Sequence, residues 1–125
     1  MTAARIVPIL NAQDIARAKQ FYCDVLGADL VAEHRDGDGP DDPSYCSFVL
    51  MGAELHVTST PGQGGAGIPI YVYCADVDGI GARVLEKKPE AVTIAPIDQT
   101  WGMRECYIRD PDGNTLRFGR PLKTA

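Results

Sequence analysis

The sequence predicts an α+β fold in which two βαβββ modules follow one another in a single chain. Its 125 residues suit one domain, which we assign to residues 1–125 with modules of approximately 5–59 and 68–120. Two segments have helical periodicity, and each follows one strand-like run and precedes three more. When the two halves are aligned on their predicted helix caps, Asp14 and Asp76, Ile9 matches Tyr71. The two halves therefore share an order of elements rather than a sequence.

The first module begins with a buried strand over residues 6–10. Asp14 is a good N-cap for the helix that follows, and Gly27 provides a C-terminal stop. Strands are then predicted over residues 29–35, 44–51 and 54–59. The helix carries one apolar stripe formed by Ile15, Ala18, Tyr22, Val25 and Leu26.

The second module repeats this order after the glycine-rich segment 61–67. A strand over residues 68–74 leads to Asp76, which caps a helix with Val77, Ile80 and Val84 on one face. Gly79 and Gly81 each weaken that helix by about 1 kcal/mol relative to alanine. Three strands follow, and Pro111 and Gly113 favour a tight turn between the last two. These strands are predicted over residues 91–95, 103–109 and 115–119.

Charge and hydropathy exclude several classes of protein. The chain has 12 lysine and arginine residues against 17 aspartate and glutamate residues, a formal net charge of −5 that disfavours nucleic acid as a partner. The longest apolar runs are far shorter than the roughly 20 residues that span a bilayer, and no secretory signal is visible. We therefore expect a cytoplasmic protein that does not cross a membrane.

The four cysteines predict neither a metal knuckle nor a redox motif. Cys23, Cys46, Cys74 and Cys106 form no C-x-x-C pair. Three of them lie in apolar strand-like runs, where a free thiol behaves as a small buried hydrophobe with a raised pKa. We expect reduced thiols in the core, and no covalent catalysis.

One helix per four-stranded sheet predicts an uncovered sheet face. A module of this size covers one face with its helix, so the other face needs a partner. That partner is either the second module or another chain.

Residues near both ends resemble a known superfamily. Residues 7–14 (VPILNAQD), Phe21-Tyr22 and residues 25–27 (VLG) resemble the first module of the vicinal oxygen chelate superfamily, which includes glyoxalase I, extradiol dioxygenases, and fosfomycin- and bleomycin-resistance proteins. Residues 99–105 (QTWGMRE) and 109–114 (RDPDGN) resemble the bleomycin-resistance branch. The resemblance implies a glyoxalase/bleomycin-resistance-like fold with mixed sheets that form grooves in a homodimer.

The superfamily's metal-binding positions predict a protein without a metal or another cofactor. Carried over one at a time, these positions fall on Val7, Pro69, His56 and Arg117. Only His56 offers a metal-binding atom, and an arginine there adds repulsion. We therefore expect metal independence, with His56 hydrogen-bonded to a neighbour.

The resemblance also predicts aromatic walls for a ligand. Trp101 and Tyr45 match positions where bleomycin-resistance proteins stack rings on the drug, although either ring also suits a core. Tyr71 and Tyr73 alternate along one strand and favour core packing, with Tyr73 kept as a candidate wall residue. Four acidic residues form either a solvated loop or a field that attracts cations. They are Asp36, Asp38, Asp41 and Asp42.

These observations favour a binding protein that sequesters a cationic, partly aromatic small molecule of the bleomycin type without chemistry, and so confers antibiotic resistance. Its candidate ligand-binding residues are Trp101, Tyr45, Asp36, Asp38, His56, Arg117 and Tyr73. An alternative is a lyase, isomerase or dioxygenase-like enzyme of the same superfamily with an atypical site around His56 and Arg117, which would favour an anionic ligand. A third possibility is a dimeric interaction module without a small ligand.

Overall fold

Two four-stranded mixed sheets and two helical segments make up the computed structural model, which describes residues 3–39 and 42–123. The predicted α+β class is therefore confirmed. The first sheet contains β1 (Ile9–Asn11), β2 (Asp29–Arg35), β3 (Ser44–Leu50) and β4 (Ala53–Thr58). The second contains β5 (Pro69–Tyr73), β6 (Val92–Asp98), β7 (Met103–Arg109) and β8 (Thr115–Pro121).

The two sheets have equivalent topologies. The strand orders are β1-β4-β3-β2 and β5-β8-β7-β6, with the first strand of each module parallel to the last and the other pairs antiparallel. Ile9 lies beside His56 in one sheet, and Tyr71 lies beside Arg117 in the other. This register agrees with the alignment of Ile9 and Tyr71 made from the helix caps.

The first helix begins where predicted but changes its winding. Asp14 accepts a hydrogen bond from the Arg17 backbone N–H at 3.2 Å, and α1 spans Ile15–Lys19. The segment Gln20–Val25 is a π-helix, so the prediction of one continuous α-helix was wrong over its second half. Hydrophobic spacing does not separate the two windings, because both bring residues three to five apart to the same side. Gly27, with φ of +82°, follows the segment as predicted.

Strand boundaries differ from prediction at some ends. β1 is shorter than the predicted 6–10 and shifted towards the C-terminus, because only residues 9–11 pair with β4. β6 begins and ends later than predicted, since a 3₁₀ turn over Pro89–Ala91 precedes it. β2 and β7 have the predicted bounds.

Each sheet packs one face against a helix, and both packed faces belong to one continuous core. Helix α2 (Val77–Lys87) is capped by Asp76, whose side chain accepts from the Gly79 N–H at 2.8 Å. The largest buried side chains come from both modules. They include Tyr22, Phe21, Phe48 and Phe118.

Polar contacts join the modules on the helix side. Arg83 of α2 donates to the backbone carbonyls of Val25 and Asp24, at 3.0 and 3.1 Å, where the π-helix ends. The Tyr22 hydroxyl donates to Asp110 at 2.7 Å, and Asp110 also accepts the backbone N–H of Asn114 at 2.8 Å within the predicted hairpin. Burial, followed by the Asp110 carboxylate, raises the pKa of Tyr22 well above its usual range. These contacts leave the opposite face of each sheet uncovered within the chain.

All four cysteines are free. Cys46 and Cys106 are buried, whereas Cys23 and Cys74 are half-buried. Burial raises the pKa of the Cys106 thiol to about 11, so this thiol remains protonated at neutral pH. No helix in the described ranges is long and apolar enough to cross a membrane.

Gly81 permits close packing of α2 on the second sheet. A Cβ atom at this position would lie 2.6 Å from Pro96 Cγ and 3.3 Å from Cys106 Sγ. Backbone atoms of the helix therefore approach β6 and β7 more closely than a side chain would allow. The glycine that weakens the helix locally is required by its tertiary packing.

We predict that Gly81→Ala destabilises the protein. Helix propensity alone would stabilise the variant by about 1 kcal/mol, whereas overpacking costs about 1–3 kcal/mol. Urea unfolding measures the sign of the change. Ala82→Gly, at an exposed position of the same helix, calibrates propensity. Stabilisation of Gly81→Ala by the full propensity difference would contradict the packing argument.

Candidate functional site

The uncovered face of the second sheet is rich in aromatic and charged side chains. Cys106, Ile108, Leu116 and Phe118 enter the core from β7 and β8. Because side chains alternate along a strand, their neighbours lie on the opposite face. We call this surface the aromatic face. It is formed by Tyr71, Tyr73, Glu105, Tyr107 and Arg117, with Trp101 beside Glu105 in the loop before β7.

Glu105 is the hydrogen-bonding centre of the aromatic face. Its two carboxylate oxygens accept the hydroxyl of Tyr71 at 2.6 Å and that of Tyr107 at 2.8 Å. The residue is only 3% exposed, although it lies on the side away from the core. Burial raises the pKa of Glu105, but hydrogen bonds from the two tyrosines and Trp101, together with the Arg117 charge, outweigh it and lower the pKa. The carboxylate is therefore ionised at neutral pH.

Gly119 gives the Tyr71 hydroxyl its route to Glu105. Tyr71 is on β5 and Glu105 is on β7, so the phenol must cross β8, where Gly119 lies beside Glu105. A Cβ atom on Gly119 would overlap the Tyr71 hydroxyl. The missing side chain thus lets three strands share one hydrogen-bonded cluster. Burial and the Glu105 hydrogen bond raise the pKa of Tyr71 above its usual range.

Two aromatic rings of this face remain largely open to solvent. Trp101 is 62% exposed, and Tyr73 is 75% exposed. Tyr71, at 39% exposed, has its ring centroid 4.8 Å from that of Tyr73. The prediction that Tyr71 and Tyr73 pack in the core was therefore wrong. Their strand directs Ile70 and Val72 towards the core instead.

Arg117 stacks on the same face. Its guanidinium carbon lies 4.8 Å from the centroid of the Tyr107 ring, a distance typical of a cation–π contact. Tyr71 lies beside it across the β5–β8 pair. Arg117 thus has aromatic neighbours on both adjoining strands.

The uncovered face of the first sheet carries a chain of polar contacts around His56. The Tyr45 hydroxyl is 2.7 Å from His56 Nδ1, and His56 Nε2 is 2.6 Å from a Glu54 carboxylate oxygen. The other Glu54 oxygen pairs with Arg5 at 2.8 Å. A neutral imidazole that donates from Nε2 and accepts at Nδ1 satisfies all of these groups. His56 is therefore hydrogen-bonded to its neighbours.

The predicted stacking pair is divided between the two sheets. Tyr45 is on the first sheet with its hydroxyl engaged by His56, whereas Trp101 and Tyr73 belong to the second. Residues of both sheets line a cavity of about 210 Å³. Glu54 lines it from the first sheet, and Tyr71 and Tyr73 line it from the second.

The acidic segment lies between β2 and β3. Asp36 is 3.2 Å from His34 Nε2, and Asp42 accepts the backbone N–H of Gly39 at 2.8 Å. Asp38 is exposed. Asp41, also named from the sequence, lies outside the described residues. Asp42 is thus committed to loop structure, whereas Asp36 and Asp38 face solvent.

The superfamily's metal positions do not fit a metal ion in this chain. Val7 and Pro69 offer no donor atoms, Arg117 carries a positive charge, and both ring nitrogens of His56 contact other side chains. Across residues 3–39 and 42–123, no group of three or more His, Cys, Asp or Glu side chains is arranged to hold a metal ion. The donor chemistry therefore supports no metal-dependent step.

Glu105, Tyr71 and Tyr107 were missed as site residues by the sequence analysis. Alternation along β7 contained a usable signal, because the polar residues 105 and 107 flank the core residue Cys106. The third member, Tyr71, depends on the pairing of β5 with β8 and on Gly119. No local pattern reports that pairing.

The fold and these two faces define a protein built from paired βαβββ modules, each with one exposed sheet face. The family model of the Glyoxalase/Bleomycin resistance protein/Dioxygenase superfamily matches residues 3–118. The chain therefore belongs to this superfamily.

Known proteins of similar sequence and structure agree with this assignment. A bleomycin resistance protein from Geobacillus stearothermophilus is 29% identical, over 94% of this chain and 97% of that protein. A bleomycin-binding protein in complex with bleomycin superposes with a TM-score of 0.72 at 20% identity, covering 94% of this chain and 98% of its own. TnmS3, an antibiotic-binding protein from Streptomyces sp. CB03234, superposes with a TM-score of 0.68 at 24% identity, covering 97% and 99%. The structural likenesses establish the fold.

We predict that Glu105→Gln destabilises the protein by about 1–3 kcal/mol at neutral pH, because the two phenols donate to different carboxylate oxygens, one of which becomes an NH2 donor, and a neutral amide replaces a charged acceptor. The Glu105 pKa is lowered on folding, so its stabilising contribution is present above the ordinary glutamate pKa of about 4.3 and is lost as pH falls through the folded value.

Urea unfolding across this pH range measures the effect. The difference between wild type and variant should remain constant down to weakly acidic pH and then narrow. A difference that stays constant far below the ordinary glutamate pKa would show that the carboxylate charge contributes nothing.

Proposed function

We propose that the protein binds a bleomycin-type antibiotic, a cationic and partly aromatic small molecule, and sequesters it without chemical change. The exposed aromatic face carries the proposal. Trp101 and Tyr73 are mostly open to solvent, while the Glu105 hydrogen bonds hold two neighbouring tyrosines in place. Stacking of a flat ligand removes apolar ring surface from water, and prior ordering of the face reduces the entropy lost on binding.

The proposed ligand contacts follow from the chemistry of each residue. Trp101 and Tyr45 stack on the flat part of the ligand, and Tyr73 adds a further wall. His56 and Arg117 contribute polar contacts. Asp36 and Asp38 attract the positive charge from a distance, since exposed charges act over about a Debye length. The similar proteins, which include a bleomycin resistance protein, a bleomycin-binding protein and an antibiotic-binding protein, support this class of ligand.

We also propose that two copies form the groove. Trp101 and Tyr45 are on different sheets, so an uncovered face of one copy packed against an uncovered face of a second copy brings aromatic residues to both sides of a ligand. Exposed apolar side chains on both modules favour such a partner. This arrangement is a homodimer with two equivalent grooves.

We expect the protein to be a dimer at micromolar concentration, with a total buried area on the order of 2,000 Å² or more. Sedimentation equilibrium measures the assembly directly. A mass near the monomer value of 13.5 kDa at high protein concentration would remove the dimer proposal.

Trp101→Ala should weaken ligand binding by about 1–3 kcal/mol, by analogy with aromatic stacking on nucleobases, which corresponds to about one to two decades in affinity. Isothermal calorimetry with a bleomycin-family compound measures wild type and variant alike. Folding should survive, because the indole is mostly exposed. Leu85→Ala, a substitution of an exposed apolar residue on α2, is the control and should retain full affinity.

The acidic residues are tested with the same compound. Asp36→Asn combined with Asp38→Asn should slow association and reduce its salt dependence, with little effect on dissociation. Absence of binding by the wild type at millimolar ligand would sink the proposal for this class of compound. A stability loss of several kcal/mol in Trp101→Ala would instead identify the indole as part of the core.

A second candidate function is metal-independent acid–base catalysis at His56. The contacts among Tyr45, His56 and Glu54 favour it, because a carboxylate that orients an imidazole can assist proton transfer through the adjacent hydroxyl. Mass analysis of the ligand after incubation separates the two functions. Sequestration returns the ligand unchanged, whereas catalysis returns a product whose formation His56→Ala abolishes.

A further inference from the structure

Arg117 is stacked on an aromatic ring and has unused hydrogen-bond donors. The guanidinium lies over the Tyr107 ring at 4.8 Å, and the Tyr107 hydroxyl is held by Glu105 at 2.8 Å. One face of the guanidinium plane is therefore stacked, while the residue as a whole is exposed to solvent. In the described part of the chain, Arg117 donates no hydrogen bond and forms no ion pair. Its N–H groups therefore remain available at the edge of the plane.

The neighbouring carboxylate does not use these donors. Glu105 is close enough for the Arg117 charge to contribute to its lowered pKa, but its oxygens accept the hydroxyls of Tyr71 and Tyr107. Arg104 differs, because that guanidinium binds Asp78 of α2 and Asp98 of β6. Arg117 is therefore stacked on Tyr107, whereas its N–H groups have no hydrogen-bond acceptor in the described part of the chain.

We propose that Arg117 binds a planar carboxylate of the ligand, placed next to the ligand's flat ring. A guanidinium presents parallel N–H donors that match the two oxygens of a carboxylate. Tyr71 and Tyr73 are on the adjoining strand β5, one or two strand spacings from Arg117. A fused aromatic ring has about this width, so it can lie on the tyrosines while its carboxylate reaches Arg117. The inference goes beyond the proposed function: it uses the same face but assigns Arg117 to an aromatic ligand that carries a carboxylate, and it is tested with probes separate from the antibiotic.

The proximity of Glu105 determines how Arg117 acts. The negative carboxylate reduces the long-range field of the guanidinium, so the site selects by directed hydrogen bonds rather than by charge alone. Lysine would supply the charge without the paired donors. Arg117→Lys is therefore expected to behave like Arg117→Gln.

The test uses two probes of the same shape, 2-naphthoate and 2-naphthamide. The second has a neutral amide in place of the carboxylate. Titrations are followed by the ¹⁵N–¹H signals of the Arg117 Nε–H and the Trp101 indole N–H. Wild type should bind 2-naphthoate about tenfold more tightly than 2-naphthamide, since charge-assisted hydrogen bonds are about twice as strong as neutral ones. The Arg117 signal should move with 2-naphthoate only, and the Trp101 signal with both probes.

Arg117→Gln and Arg117→Lys should bind both probes equally and retain the Trp101 response. Lys87→Gln is the control, because it removes one positive charge from an exposed position of α2, on the opposite side of the second sheet. The proposal would be overturned if wild type bound the two probes equally or bound neither, if Arg117→Gln or Arg117→Lys kept the preference for 2-naphthoate, or if Lys87→Gln lost that preference equally. If wild type preferred 2-naphthoate but did not bind the bleomycin-family compound, the carboxylate site at Arg117 would stand and the proposed antibiotic ligand would be rejected.

Discussion

Each four-stranded sheet in this protein has a single helix to cover it, and one helix covers only one face. The covered faces share one continuous core, which contacts such as Arg83 with the end of the π-helix and Tyr22 with Asp110 hold together. Alternation along the inner strands β3, β4, β7 and β8 therefore divides the side chains into a core set and a set on the uncovered faces. The second set does not build the core, so its residues can carry the chemistry of binding.

A solvent-facing sheet surface built from tyrosines has to keep its rings ordered without a core behind them. Glu105 meets this requirement in the second sheet, because one carboxylate fixes two phenols while Gly119 keeps the path between strands open. Rings that are fixed before binding lose less rotamer entropy when a ligand arrives. The exposed Trp101 and Tyr73 thus border a surface that is already organised.

The parts of this structure that depend on nearby residues were predictable from the sequence. The caps at Asp14 and Asp76 and the bounds of β2 and β7 follow from alternation and turn chemistry within a few residues. The π-helical turn was not predictable, because its apolar spacing also fits an α-helix. The Glu105 cluster depends on the register of three strands, and Gly81 depends on how closely a helix approaches a sheet. Both are properties of tertiary structure that no short window of sequence contains.

Equivalent positions in the two modules have acquired different chemistry. His56 and Arg117 occupy corresponding places on β4 and β8, beside Ile9 and Tyr71 on the parallel strands. In a metal-binding relative such positions would converge on one ion, but here His56 is tied to Tyr45 and Glu54 while Arg117 is stacked on Tyr107. An imidazole with both nitrogens engaged and a guanidinium cannot share a cation. The repeated scaffold therefore presents hydrogen-bonding and stacking groups where coordination would otherwise occur, which suits recognition of a flat polar molecule better than activation of one by a metal.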